Sequence, residues 1–89
     1  MQGPVNHKAN PRFWAQYRHL PAGVQRLADR CYRQLKQDEG HPSLHLKKVG
    51  RYWSVRIGVR HRALGVEHEG TVVWFWIGPH AEYDRLIAT

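Results

Sequence analysis

Six cations and no carboxylate fall between residues 44 and 62 of this 89-residue chain. His45, His61, Tyr52 and Trp53 are interleaved with them. Strand cations mixed with aromatic rings suit a phosphate backbone with stacked bases, and the plainer alternative is a strand face that only meets water. The lack of an acidic partner favours phosphate binding. The six cations are Lys47, Lys48, Arg51, Arg56, Arg60 and Arg62.

A second candidate site directly follows the most apolar segment of the chain, where residues 78–84 read GPHAEYD. A histidine just past a buried strand is held by a rigid scaffold and stays within reach of a ligand, and its imidazole can act as acid or base. In a helical turn, Tyr83 would lie near His80. The alternative is that His80 only caps a helix or lies on the surface.

Other conspicuous side chains are assigned to structure. Cys31 falls on an apolar helix stripe and is expected to be a small core residue. Trp74 and Trp76 share strand parity, which predicts that both point to one sheet face under the helices. Arg62 shares its predicted strand face with apolar neighbours. The scattered histidines and the single cysteine predict no metal site and no disulfide framework.

The first half of the chain carries helical signals. Asn10-Pro11 is typical of a helix start, and Leu20-Pro21 ends that helix and opens a second one. The second helix has an apolar stripe over three turns and is predicted to end by Gly40. Residues 1–10 are polar and are interpreted as an N-terminal arm or a weak edge strand around Val5. Residues 11–89 are then a single domain.

The second half of the chain alternates like strands. The predicted strands cover 44–49, 52–59, 61–67 and 71–77, with a hairpin at Glu69-Gly70. The sequence therefore predicts an α+β fold, in which a helical hairpin packs on one face of a small twisted antiparallel sheet of three to four strands. The other sheet face would be available for function.

Charge indicates the class of partner. Lys and Arg number fourteen against seven Asp and Glu, for a net charge of +7, and ten of the fourteen cations are arginine. Arginine binds phosphate in a planar, bidentate way, so nucleic acid or an acidic protein is the expected partner. No apolar run approaches the length of a membrane span or resembles a signal peptide, so we expect a cytoplasmic protein with no membrane partner.

Taken in order, the helical hairpin and the segments HPSLHLKKVG, YWSVRIGVRHRALGV and VVWFWIGPHAEYDRLI resemble the RelE/ParE superfamily of toxins from bacterial type II toxin–antitoxin modules. The closest similarity is to small RelE-like and HigB-like members that end in a G-x-H-x-x-Y-D-x-L pattern. The resemblance covers about residues 12–87 and implies two helices on a twisted sheet of about four strands. It also implies a small antitoxin partner that wraps the toxin.

The resemblance implies a metal-independent, ribosome-dependent mRNA endonuclease that inhibits translation and needs no cofactor. His80 would act as general acid or base, and Tyr83 matches an aromatic residue that stacks on a base. Arg56, helped by Lys47 or Lys48, would stabilise the phosphate. The residues expected to bind RNA or the ribosome are Lys47, Lys48, Arg51 and Arg60.

Two departures from the family pattern keep alternatives open. The family's N-terminal strand is poor here, so the sheet edge is expected to be open to an antitoxin strand. No carboxylate in the basic stretch offers a general base. The alternatives are a ParE-like protein that inhibits DNA gyrase without catalysis, and a catalytically inactive basic domain that binds nucleic acid or protein.

Overall fold

A computed structural model describes residues 6–88. Within them, three α-helices pack against one five-stranded sheet. The elements in chain order are β1 (Asn6–Ala9), α1 (Pro11–Tyr17), α2 (Ala22–Gln37), a 3₁₀ turn (Pro42–Leu44), β2 (Lys47–Val49), β3 (Tyr52–Ile57), β4 (His61–His68), β5 (Thr71–Pro79) and α3 (His80–Ile87).

The strands are ordered β1-β5-β4-β3-β2. β2 to β5 form an antiparallel meander, and β1 pairs with β5 in parallel. This confirms the predicted α+β class with helices on a twisted sheet. The sheet differs from the prediction in having five strands and one parallel pair, because the chain returns to the edge beside β1 only after both helices and three further strands.

β1 occupies the sheet edge that the sequence was expected to leave open. Its burial alternates, with Asn6 and Lys8 exposed and His7 buried. The buried residue, His7, is polar, so the sequence of β1 lacks the alternation of apolar and polar residues that would predict a strand. The imidazole of His7 accepts a hydrogen bond from Nε1 of Trp74 (3.1 Å) and contacts Glu39 (2.6 Å). Val5, the expected centre of this strand, lies outside the described residues.

β2 is shorter than the predicted strand over 44–49. Pro42–Leu44 forms a 3₁₀ turn, and His45 follows in the left-handed region at φ 46°. Leu44 is fully buried, so this turn anchors the chain to the core before the strand begins. Pairing with β3 therefore starts only at Lys47.

The main core lies between the sheet and the first two helices. Asn10 caps α1 by accepting a hydrogen bond from the backbone N–H of Phe13 (2.9 Å), as the Asn-Pro signal predicts. The stripe on α2 is buried against β3, β4 and β5, and burial raises the pKa of the Cys31 thiol. The most deeply buried members of this core are Ala28, Cys31, Leu35, Leu44, Val55, Ile57, Ala63, Val72, Trp74 and Ile77.

A β-bulge at Phe75 separates the two tryptophans. Gly65 pairs with Trp74 and Leu64 pairs with Trp76, so Phe75 has no opposite residue on β4. Trp74 consequently packs under α1 and α2, whereas Trp76 packs under α3. The prediction that both tryptophans share one face is wrong, because it assumes uninterrupted alternation. Both rings are buried, at 2% and 7% exposure.

The second sheet face is not left free along its whole length. α3 folds back over it, and Tyr83 packs with Leu64 and Trp76 in a smaller apolar cluster. Partly exposed rings of Tyr52 and Phe75 border this cluster. The expectation of a fully uncovered functional face is therefore corrected to a face that α3 covers in part.

Candidate functional site

α3 presents His80 at its first position. The backbone N–H of His80 donates to the carbonyl of Arg60 (2.8 Å), so the start of the helix is tied to the turn between β3 and β4. The Nδ1 atom of His80 lies 3.2 Å from Oδ2 of Asp84, one helical turn later. A carboxylate beside Nδ1 favours the tautomer in which Nδ1 carries the proton and Nε2 can accept one. Both side chains are about half exposed, at 46% and 56%.

Asp84 is a candidate site residue that was not predicted from the sequence. It belongs to the GPHAEYD segment, and its i,i+4 spacing from His80 was the available signal. The expectation from the sequence was that residues 44–62 offer no carboxylate as general base, and Asp84 lies outside that stretch. The fold supplies a carboxylate partner from the helix itself.

Tyr83 is buried, with only 4% of its surface exposed. Its hydroxyl accepts a hydrogen bond from the hydroxyl of Ser54 on β3 (2.9 Å), and its ring lies 5.9 Å from the imidazole of His80. Tyr83 therefore anchors α3 to the sheet, and its ring packs beside the imidazole of His80. The expected stacking role is corrected, because a ring packed under its own helix offers no face to a base.

Arg56 and Arg62 are opposite one another on β3 and β4. Nε of Arg56 and Nη1 of Arg62 both donate to the carbonyl of Gly58, at 3.1 and 3.4 Å, and Arg62 also donates to the carbonyl of His61 (2.8 Å). Arg62 is thus held by the β3–β4 turn. Among the hydrogen bonds within residues 6–88, Arg56 donates through Nε alone, which leaves both Nη groups for a ligand.

The two guanidinium groups form a concentrated positive charge. Burial, and then the charge of Arg56, lower the pKa of Arg62, while Tyr83 and Asp84 act in the opposite direction. Asp84 therefore faces His80 and also influences Arg62. Within residues 6–88 every ion pair joins a histidine to a carboxylate, so none neutralises a lysine or an arginine.

The pairing register separates the two neighbouring lysines. Lys47 pairs with Ser54, whose hydroxyl contacts Tyr83, so Lys47 shares the face of Arg56 and α3. Lys48 points to the other face, where its Nζ lies 5.2 Å from the ring centroid of Trp53. The expectation that Lys48 belongs to the catalytic set is therefore corrected.

The two remaining cations of the basic stretch lie on turns. Arg51 is exposed between β2 and β3, with its Cζ 5.3 Å from the ring centroid of Tyr52. Arg60 is exposed between β3 and β4, and its carbonyl holds the start of α3. The fold therefore places Arg60 beside His80 and Arg51 at the opposite end of β3.

A family model for the ParE-like toxin domain matches residues 22–85, which is more than two thirds of the chain. The chain belongs to the ParE-like toxin domain family. The resemblance to the RelE/ParE superfamily is thereby confirmed. No curated protein matches this member of the family.

Solved toxins of known structure share the fold of this ParE-like domain. It is similar to a chain of the RelB–RelE antitoxin–toxin complex from Methanococcus jannaschii, with a TM-score of 0.68, 14% identity and coverage of 88% of this chain and 96% of that chain. It is also similar to a chain of the RelE–RelB complex from Pyrococcus horikoshii, with a TM-score of 0.64, 13% identity and coverage of 85% of this chain and 94% of that chain. The similarity to the isolated E. coli RelE toxin has a TM-score of 0.59, with 9% identity and coverage of 92% of this chain and 95% of that chain.

The ParE-like domain thus brings three of the predicted site residues to one face, namely Lys47, Arg56 and His80, and adds Asp84. In the described part of the chain, no three or more His, Cys, Asp or Glu side chains gather as they would around a metal ion. None of the helices within residues 6–88 is long and apolar enough to cross a membrane.

Proposed function

We propose that this protein is the toxin of a toxin–antitoxin pair and that it cleaves mRNA on the ribosome without a metal ion. The observation that carries the proposal is that Asp84 lies 3.2 Å from His80 and also raises the pKa of Arg62, which is paired with Arg56 across the same sheet face. A base beside uncompensated cations is what cleavage of an RNA phosphodiester requires.

In the proposed reaction, Nε2 of His80 takes the proton from the ribose 2′-OH. The 2′-oxygen attacks the phosphorus, a 2′,3′-cyclic phosphate forms, and the bond to the 5′-oxygen breaks. The protonated imidazole then returns its proton to that leaving oxygen. The free Nη groups of Arg56 and the ammonium of Lys47 stabilise the charge on the phosphate. Asp84 keeps the imidazole in the tautomer that this step needs.

We also propose a cytoplasmic location and an antitoxin partner. Two structural neighbours are RelE toxins in complex with RelB antitoxins. A net charge of +7 suits an acidic antitoxin as well as RNA. Arg51 and Arg60, exposed on turns at the two ends of β3, are the proposed ribosomal RNA contacts.

The test is brief expression in bacteria with sequencing of new mRNA 5′ ends. The parent is expected to produce ends in phase with codons, and His80→Ala is expected to abolish them. His68→Ala is the matched control, because His68 is 81% exposed and sits at the far β4–β5 turn. Cleavage that survives in His80→Ala would remove His80 from the chemistry.

Gyrase inhibition is the second candidate, and the ParE-like family model favours it. In that case the parent stops growth with intact message, and His80→Ala stays toxic. Relaxation of plasmid DNA in treated cells would then replace mRNA cleavage as the readout. Normal growth with intact message would favour the inactive basic domain.

A further inference from the structure

The sheet face that carries His80 and Arg56 continues beyond α3 as an aromatic patch. α3 has eight residues and is about 12 Å long, so it covers only part of the sheet. Past it, the rings of Tyr52 and Phe75 are partly exposed, with their centroids 5.6 Å apart and their planes inclined by 52°. Val66, on the same face, is 37% exposed.

The bulge in β5 places Trp76 beside Phe75 on this face. With regular alternation, Phe75 would point away from the face of Trp74, and Trp76 would return to that face. The unpaired position instead lets Phe75 and Trp76 both contact the α3 cluster. Trp76 fills the covered part of the face, and Phe75 remains at its uncovered border.

An arginine guanidinium group lies over the ring of Phe75, and another lies over the ring of Tyr52. Cζ of Arg12 lies 5.8 Å from the centroid of Phe75, and Cζ of Arg51 lies 5.3 Å from the centroid of Tyr52. Nη2 of Arg51 also donates to the hydroxyl of Tyr52 (3.3 Å). Neither arginine forms an ion pair within residues 6–88. Two adjacent rings flanked by free cations match an unpaired base with its phosphates.

We propose that Tyr52 and Phe75, flanked by Arg12 and Arg51, form a stacking platform for an unpaired RNA base beside the nucleotide that is cleaved. The inference rests on the proposed function, namely that this face binds RNA. Tyr52 and Arg56 point to the same side of β3 four residues apart, a separation of about 13 Å. The platform therefore receives a neighbouring nucleotide rather than the reacting one.

The platform accounts for a contact that Tyr83 does not provide. A buried Tyr83 offers no surface to a base, whereas Tyr52 and Phe75 are partly exposed on the same face. Stacking on an aromatic ring tolerates any base, so this subsite contributes affinity and register more than sequence preference. An acidic polypeptide is the competing occupant, and it would need the cations but not the ring faces.

Binding of two fluorescent RNA octamers separates these occupants. One is an octamer of adenosines, and the other has the same phosphates and riboses but no bases. The parent is expected to prefer the adenosine octamer. Tyr52→Leu and Phe75→Leu, which keep an apolar contact with the α3 cluster, are expected to reduce that preference about 5- to 150-fold. Both are expected to bind the abasic octamer as the parent does.

Three controls keep the result interpretable. Tyr52→Phe retains the ring and is expected to retain the preference. Trp14→Leu removes an exposed ring (37%) from α1, outside the platform, and is expected to leave the binding of both octamers unchanged. Arg51→Gln is expected to weaken the binding of both octamers to the same extent. Thermal unfolding of each variant establishes that the fold is kept.

Equal affinity of the parent for both octamers would overturn the stacking platform, whereas the proposal that this face binds RNA would stand. If the parent binds neither octamer and message stays intact in cells, the proposed function falls as well. Tyr52→Leu and Phe75→Leu could also keep the preference for the adenosine octamer and fail to bind a co-expressed antitoxin. That result would assign the patch to a protein partner and overturn the platform.

Discussion

At the scale of single residues, adjacent side chains of this chain have separate tasks. Lys47 and Lys48 are neighbours with the same charge, yet the strand turns one towards α3 and the other over the ring of Trp53. Similarly, His80 and Tyr83 share a helix, and only His80 is exposed. Composition identifies such residues as candidates, and the direction of each side chain decides its role.

Substitution of the two lysines tests this separation. Lys47→Gln is expected to lower RNA affinity and to reduce the slope of log affinity against log salt by about 0.7, because one phosphate contact is lost. Lys48→Gln is expected to leave both quantities near the parent's values, since its ammonium lies on the opposite face. The measurement is RNA binding by anisotropy over a salt series. Equal effects of the two substitutions would contradict the assignment by register.

At the scale of elements, the arrangement depends on how α3 is joined to the sheet. The hydrogen bond from Ser54 to Tyr83 joins β3 to α3 inside the smaller cluster. The bulge at Phe75 then sets which rings lie beneath the helix. Gly65 permits the bulge, because a Cβ there would come within 2.5 Å of Val72 and 3.0 Å of Trp74. The site is therefore positioned by packing that lies outside it.

Removal of the Tyr83 hydroxyl distinguishes anchoring from catalysis. Tyr83→Phe is expected to lower the free energy of unfolding by about 1–3 kcal/mol, because the buried hydroxyl of Ser54 loses its partner. Ser54→Ala combined with Tyr83→Phe is expected to cost less than the sum of the two single changes. Chemical denaturation measures all three. A folded Tyr83→Phe protein that no longer cleaves RNA would restore a direct role for Tyr83.

At the scale of the whole molecule, one buried network joins distant parts of the chain. His7 on β1 contacts Glu39 after α2 and accepts from Trp74 on β5, while the hydroxyl of Tyr32 donates to the carbonyl of His7 (3.2 Å). These contacts close the sheet edge against the helical layer. They also provide partners for a polar side chain that is almost completely buried.

Replacement of His7 tests how much the edge strand depends on this network. His7→Leu is expected to lower the free energy of unfolding by about 1–3 kcal/mol, because the indole N–H of Trp74 is left without an acceptor. His68→Ala, at an exposed histidine, is expected to stay within about 0.5 kcal/mol of the parent. Denaturant titration of both variants measures the difference. An unchanged His7→Leu protein would show that β1 is held by its backbone pairing alone.

Much of this protein was predictable from patterns that are local in the chain. Helix stripes, the Asn-Pro cap, the Glu69-Gly70 hairpin and the strand alternation all depend on near neighbours, so they determined the α+β class. The segment at residues 78–84 and the basic stretch likewise pointed to His80 and Arg56. The fold-class prediction succeeded because spacing along a helix or strand translates directly into a face, whereas the roles of His80 and Arg56 stay predictions.

What the tertiary structure decided depends on contacts between distant residues. The parallel pairing of β1 rests on partners of His7 that lie 32 and 67 residues away. The bulge at Phe75 depends on the space that Gly65 leaves opposite, and it reversed the predicted direction of Trp76. The choice of Lys47 over Lys48 and the burial of Tyr83 follow from register and from how α3 folds back. A single strand or helix carries none of this information, because each contact is fixed by a partner elsewhere in the chain.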